Sequence, residues 1–241
     1  MRLRPLSTGD ISDALDLSLA AGWNQTRADW AALLETAPEG CLGIECDGRI
    51  VATTTLVCYG KRLAWIGMVL THSDYRRRGF ARVLVQKAID LARTQEVAIV
   101  KLDATGEGQA LYREFGFRPE QPVERWGLGE PGANADTAIA TPPILEPGGQ
   151  LLHRPGIRAH YLGPCIADSH ATAERLFRRA VDEIGAASYF WDILPLNRSA
   201  LRIATRLGFV PLRRLTRMVL GHEAQPYNES HIYAIAGFEW G

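Results

Sequence analysis

The chain has 241 residues, 46% of them hydrophobic, with 27 basic and 27 acidic side chains. That length suits one large or two modest domains with well-formed cores, and zero net charge excludes a whole-chain field that would draw it to nucleic acid or an acidic membrane. No stretch is apolar for long enough to span a bilayer and Met1-Arg2-Leu3-Arg4-Pro5 lacks a signal peptide's apolar core, so a cytoplasmic location is expected.

In chain order, Leu3 to Leu6 reads as a short first strand, followed by helical stretches at about 9–21 and 27–35. Asn24-Gln25-Thr26 lies between these helices, and Thr26 with Asp29 resembles a capping box. Cys41–Glu45 and Ile50–Tyr59 form a predicted hairpin around Asp47-Gly48, a strong turn signal. A strand over 63–70 leads into Tyr75-Arg76-Arg77-Arg78-Gly79-Phe80-Ala81, which opens a predicted helix over 79–93. Along that helix Ala81, Leu84, Val85, Ala88, Leu91 and Ala92 mark one apolar stripe. A buried strand, Val97–Leu102, precedes a helix near 106–115 that Gly116 closes, and strand-like residues continue to about Leu128. From 129 to 149 repeated Pro and Gly break regular structure, which predicts a domain over residues 1–130, a linker over 131–149 and a second domain over 150–241.

The strand-to-helix turn at Arg76–Ala81 has the chemistry of an anion cradle. The first N–H groups of a helix lack intrahelical acceptors, and the helix dipole adds partial positive charge there. Gly79 and Ala81 leave the backbone open to a phosphate or pyrophosphate, and three arginines supply long-range attraction and forked hydrogen bonds. A solvated basic turn is the plainer reading of the same residues. A nucleotide-triphosphate enzyme does not fit, because no Gly-rich loop ends in Lys-Ser/Thr. Cys41, Cys46, Cys58 and Cys165 form no CxxC pair and have no histidine at zinc spacing, so neither a metal nor a disulfide framework is expected.

Beyond the predicted linker the pattern restarts. Ala110-Leu111-Tyr112 through Gly116-Phe117 has a counterpart in Arg202-Ile203-Ala204 through Gly208-Phe209, offset by 92 positions. The same offset carries Ala81, Leu84 and Ala88 onto Ala173, Leu176 and Ala180, which argues for a duplicated fold. In this register Arg76 becomes Asp168, Gly79 becomes Ala171 and Tyr112 becomes Ala204, so the second copy is expected to bind no nucleotide.

These blocks resemble the GNAT superfamily of N-acetyltransferases, and the whole chain resembles its two-domain bacterial members with a degenerate second half. The strand, the RRRGFA run and the helix are similar to that family's pyrophosphate loop, and Ala110–Phe117 is similar to its second motif. The segments Ala21–Thr26, Leu102–Thr105 and Gly237-Phe238-Glu239 resemble parts of the two-domain subgroup. The resemblance implies an α+β fold: tandem domains, each a mixed, mostly antiparallel, splayed sheet flanked by helices. It implies acetyl-CoA as acyl donor, with the backbone of Met68, Val69 and Leu70 pairing with the pantetheine arm. Arg76, Arg77, Arg78, Gly79, Phe80, Ala81 and Arg82 would take the pyrophosphate, and Thr105 stands where the family usually has an asparagine beside the cofactor arm.

In that setting Tyr112 is either the general acid for the departing CoA thiolate or an amphipathic packing residue. The family's frequent glutamate is absent from Trp65-Ile66-Gly67-Met68-Val69-Leu70. Asp103 either replaces it as base or caps the following loop, and His72 and Asp74 are weaker candidates. Trp23 and Asn24 either contact the acceptor or fill core; Trp126, Trp191 and Asp192 are read as core. The expected activity is transfer of an acetyl group from acetyl-CoA to an amine of a small molecule or peptide in a ternary complex, by a monomer or homodimer. The competing expectation is a catalytically inactive acyl-CoA sensor or scaffold.

Overall fold

The computed structural model describes residues 1–132, 141–221 and 229–241. They fall into two compact units, the first comprising Met1–Pro119 with the stretches beginning at Met218 and at Glu239. The second comprises Glu120–Arg217 and the stretch ending at Phe238. The units part at Pro119 rather than near residue 130, and two later stretches return to the first unit. Part of the predicted linker lies outside the described residues, and another part, Ile144–Glu146, is a strand.

In the first unit the chain runs β1 (Arg2–Pro5), α1 (Ile11–Ala20), α2 (Arg27–Thr36), β2 (Leu42–Cys46), β3 (Arg49–Tyr59), β4 (Leu63–Thr71), α3 (Phe80–Thr94), β5 (Ile99–Ala104) and α4 (Gln109–Glu114). Thr26 caps α2 as its sequence suggests: its side chain accepts from Asp29 N–H at 3.2 Å, and the Asp29 carboxylate accepts from Thr26 N–H at 2.8 Å. Asp47 and Gly48 take φ of 51° and 78°, the left-handed pair that a tight hairpin turn requires. Strands β1 to β4 pair antiparallel, and β5 pairs parallel with β4. Helices α1 and α2 cover one face, where Leu17, Trp30 and Leu33 pack on Val57, Met68 and Leu70. Helices α3 and α4 cover the other, where Val85, Ala88 and Ile89 meet Ile66, Val100 and Leu102. Each such fully buried Leu, Ile or Val is worth roughly 1.5–3 kcal/mol of transfer free energy.

The second unit contains β6 (Arg118–Leu128), β7 (Ile144–Glu146), β8 (Gly149–Arg154), β9 (His160–Ala167), α5 (His170–Ile184), β10 (Tyr189–Ile193), α6 (Arg198–Arg206), β11 (Val210–Gly221) and β12 (Ile232–Ala234). Its strand order is β11-β6-β10-β9-β8-β7, with β12 also on β9. Trp191 is its centre, stacked on Phe177 at 3.6 Å and edge-on to Phe209 at 5.5 Å. Asp192 is fully buried in a two-pronged pair with Arg125, at 2.7 and 2.8 Å. Trp191 and Asp192 are therefore core, as read, and Trp126 is half-buried against that core, its Nε1 donating to Glu124 at 3.1 Å.

The duplication is visible in matching details. Gly116 and Gly208 are both left-handed, at φ 89° and 83°, and each is followed by a phenylalanine whose N–H bonds back five residues. The buried faces of α3 and α5 agree at the offset of 92, through Leu84/Leu176, Val85/Phe177 and Ala88/Ala180. The helix starts do not agree. The N-cap of α3 is Gly79 and that of α5 is Ser169, so α5 begins two residues early and Ala171 lies inside its first turn instead of matching Gly79.

Candidate active site

The site of interest begins with a fault in β4. Its pairing with β3 slips between Thr53 and Thr55, and Met68 takes φ of 50°. One extra residue in β4 places Gly67 and Met68 on the same, α1/α2-covered face. Two hydroxyls of the run Thr53-Thr54-Thr55 hold the bulge: Thr53 Oγ1 donates to Met68 O at 2.8 Å and Thr54 Oγ1 to Gly67 O at 3.3 Å. Past the bulge the sheet opens. The parallel register between β4 and β5 ends at Trp65–Lys101, although the strands continue to Thr71 and Ala104. The β5-facing edge of Met68, Val69 and Leu70 therefore borders a cleft instead of a neighbouring strand.

After β4 the chain turns into α3 through the arginine-rich, glycine-led turn Arg76–Ala81. Arg77 and Gly79 are left-handed, at φ 59° and 81°, and no side chain caps the first turn of α3. A Cβ on Gly79 would meet nothing within 4 Å, so the approach to the N–H groups of this turn is open. Phe80 is buried and stacks on Tyr75 at 6.2 Å, which anchors the turn from below. The arginines are exposed and lightly held. Arg76 Nε donates to Thr71 O at 3.3 Å, and Arg78 donates to Asp74 O at 2.9 Å while lying 4.8 Å over the Tyr75 ring. Arg82 pairs with Glu114. Arg76, Val69 and Leu70 also wall a cavity of about 310 Å³ with Leu17 and Ala20 of α1 and Ala21 just after it.

Tyr112 projects from α4 into the α3-side core, edge-on to Phe117 at 6.0 Å, and burial pushes its phenol up to about 12. Asp103 is half-buried on β5, on the face opposite Leu102 and Ala104, and so on the opposite side of the sheet from Tyr112. Thr105 serves the fold locally, its hydroxyl accepting from Gly108 N–H at 3.1 Å. Trp23 packs on the α1/α2 core and Asn24 is buried. Burial raises the thiols of Cys41, Cys58 and Cys165, the opposite of what a nucleophilic thiolate needs.

Sequence reasoning gave no role to three contributors, the Thr53-Thr54 clasp, Gln25 and Glu239, although Gln25 and Glu239 lie in segments that resemble the two-domain subgroup. Glu239 is 1% exposed, and Gln25 Nε2 donates to its carboxylate at 2.9 Å. The available signals were a glycine inside an apolar strand, which marks a bulge or a close backbone approach, and three consecutive hydroxyl residues in a buried strand.

The second unit has the same cleft, and it is filled. The parallel pairing of β9 with β10 covers His160–Leu162, and at Cys165 and Ile166 the neighbour becomes β12. Asn197 Nδ2 donates to Ile232 O at 2.9 Å, Trp191 Nε1 to Tyr233 O at 2.8 Å, and Ile235 N–H to Asp192 O at 3.2 Å. Asn197 Oδ1 also caps α6, accepting from Ser199 and Ala200 N–H. The first turn of α5 is likewise closed, since Ser169 Oγ accepts from Thr172 N–H at 3.2 Å.

Comparison with known proteins gives two family matches: residues 12–117 match the model of the acetyltransferase (GNAT) family, and residues 149–234 match an acetyltransferase (GNAT) domain. The chain is 34% identical over 116 residues to the uncharacterized N-acetyltransferase YitH of Bacillus subtilis, a match covering 48% of this chain and 40% of that protein. It thus spans about two fifths of the length of that curated relative. A putative acetyltransferase from Pyrococcus horikoshii superposes with a TM-score of 0.83 at 21% identity, over 100% of this chain and 95% of that one. A tandem GNAT protein from the clavulanic acid biosynthesis pathway superposes with a TM-score of 0.63 at 16% identity, over 94% and 99%. These two likenesses show the fold, a splayed sheet flanked by helices and present in tandem.

Proposed function

Because the chain belongs to the GNAT acetyltransferases, with one such domain in each half, we propose that its first half moves an acetyl group from acetyl-CoA to an amine of a small molecule or peptide. One observation carries this reading: the opened edge of β4 runs directly into the uncapped, glycine-led start of α3. A pantetheine arm is a chain of amides and pairs with the free edge of Met68, Val69 and Leu70 as a strand would. Its pyrophosphate then meets the cradle Arg76–Ala81, with Arg82 swinging from Glu114 to join it.

The thioester ends up beside the gap between β4 and β5, with Tyr112 on the α3 side. The Tyr112 phenol is protonated at every physiological pH. Full proton transfer from it to a thiolate whose conjugate acid has an ordinary pKa of about 8.5 is uphill. Its contribution is therefore a hydrogen bond to the departing sulfur, given before the proton moves. Thr105 stays with the α4 turn and lends the arm at most a second contact. Attack is direct in this reading, since burial disfavours the thiolates of Cys41, Cys58 and Cys165. Trp23 and Asn24 shape the acceptor side from beneath, and Asp103 offers a carboxylate on that face.

We assign the donor to the first half alone, because β12 and Ser169 occupy the places in the second half that pantetheine and pyrophosphate would take. A silent acyl-CoA sensor is the competing reading, favoured by the lack of a carboxylate on β4. Calorimetric titration with acetyl-CoA, followed by a screen of amine acceptors, separates the two. Binding with transfer supports the enzyme, and binding without transfer to any amine supports the sensor. Binding that survives Arg76→Glu with Arg78→Glu would remove the cradle from the account.

A further inference from the structure

Among the described carboxylates of the first unit Glu239 is the most deeply buried, and the mechanism above does not use it. Its backbone lies against β4 at the bulge: a Cβ on Gly67 would stand 3.0 Å from Glu239 O and 3.1 Å from Glu239 Cα. The same Cβ would stand 3.1 Å from Thr55 Oγ1. Glycine at 67 thus makes room for Glu239 on the acceptor face, at the level where the sheet begins to open. Trp240, next in the chain, packs in the α1/α2 core with Met68 and Leu70, and Tyr59 OH donates to its carbonyl at 2.7 Å. Burial, then the nearby Glu239 carboxylate, raises the Tyr59 phenol.

Two orphaned polar atoms accompany the carboxylate. Gln25 gives its amide N–H to Glu239, while Gln25 Oε1 is buried and has no hydrogen-bond partner among the described residues. Thr55 Oγ1 is buried and equally without a partner. Gln25 is 5% exposed and Thr55 0%. Leaving such groups buried and unpaired is unfavourable, and a ligand with several N–H donors would relieve it. A carboxylate flanked by an amide oxygen and a hydroxyl is an acceptor set matched to a primary ammonium, which carries one positive charge and three donors. The cavity walled by Val69 and Leu70 reaches β4 two to three residues away, roughly 7–10 Å along the strand.

We propose that Glu239 receives the acceptor's ammonium group and takes its proton, with Gln25 Oε1 and Thr55 Oγ1 as auxiliary acceptors. The inference rests on the acetyltransferase reading and supplies the base that β4 lacks. The ammonium N–H proton passes to the Glu239 carboxylate, and the freed lone pair forms the N–C bond to the thioester carbonyl. Collapse breaks the C–S bond with the electron pair leaving on sulfur. The sulfur, hydrogen-bonded by Tyr112, takes up the adduct's surplus N–H proton. Glu239 returns its proton to solvent, so amide, free CoA thiol and one proton are the products.

The test compares wild type, Glu239→Gln and Asp103→Asn in the full chain, with acetyl-CoA and a panel of primary amines. The panel includes ethylamine and an alanyl peptide, which are protonated at neutral pH, and 2,2,2-trifluoroethylamine, which is not. Glu239→Gln keeps the side chain's shape and a hydrogen-bonding amide. The expected result is transfer to the protonated amines slowed by about 100-fold or more, transfer to trifluoroethylamine slowed by less than about fivefold, and calorimetric affinity for acetyl-CoA unchanged. Equal slowing of both kinds of amine marks a structural role and overturns the proposal. So does unchanged turnover, or this selective pattern in Asp103→Asn instead. If Glu239→Gln does not fold, Gln25→Ala is read in the same assay, and the same selective loss is required of it. Absence of transfer by wild type to every amine overturns the acetyltransferase reading and this proposal with it.

Discussion

Tyr112 shows how burial sets a side chain's chemistry. Nothing but the loss of water moves its phenol from the ordinary 10 to about 12, and the result is a donor that never ionises under working conditions. Tyr112→Phe should lower turnover about 100-fold while leaving acetyl-CoA affinity unchanged, read by steady-state rates and calorimetry. An unchanged rate would remove the residue from the chemistry. The same shift has a stability consequence. Between pH 10 and about 12 the folded protein holds this proton and the unfolded chain has released it, so stability falls as pH rises through that window. Urea melts of Tyr112→Phe should show a shallower alkaline decline than wild type. His160 is the acid-side counterpart: burial, then His153 and Arg154, lower it from 6.5 to about 4. The unfolded chain binds this proton first as pH falls, so stability is full above about 6.5 and is lost on the way down to 4. His160→Phe should flatten that acid limb, and an unaltered limb would mean that other groups carry it.

The bulge in β4 is the element on which the site depends, because it ends the pairing with β5 and turns Gly67 and Met68 to one face. Its carbonyls are held by threonine hydroxyls, so Thr53→Val, which keeps the shape and deletes the donor, should cost about 1–3 kcal/mol by leaving Met68 O unpaired. Gly67→Ala should cost a similar amount, because its Cβ would meet backbone atoms of Glu239 that cannot swing aside. Thermal melts check both, and a neutral Gly67→Ala would show that Glu239 is not tightly seated. The helices and turns around the bulge were legible in advance, since their signals are local: the Thr26–Asp29 box, Asp47-Gly48, the stripe of α3 and Gly116. The bulge itself was not, because one extra residue in a strand buried on both faces leaves the apolar run unbroken. The start of α5 was misplaced for a related reason. The stripe fixes a helix's rotation but not its first residue, and the Ser169 cap starts α5 two residues early without disturbing the buried face, the two helices having equal length.

At the scale of the molecule the two halves use one fold in opposite ways. Both end a parallel pairing after three residues and close the following helix on Gly-Phe. In the first half the cleft is left open. In the second, β12 lies in it, held by β9, Asn197 and Trp191 through bonds of the kind a pantetheine arm would make. Sequence spacing could show the duplication, because helices and glycines recur at a fixed offset. It could not show the plug, or Glu239, since both come from residues far along the chain that only the fold brings back. The arrangement predicts where acetyl-CoA leaves its mark. Hydrogen exchange with and without acetyl-CoA should show new protection at Met68–Leu70 and across Arg77–Arg82. Amides of β9, β12 and the start of α5, already paired within the protein, should be unchanged. Equilibrium binding should saturate at one acetyl-CoA per chain. Protection appearing at Cys165–Thr172, or a second equivalent of ligand, would mean that β12 yields to the cofactor and that the second half is a donor site in its own right.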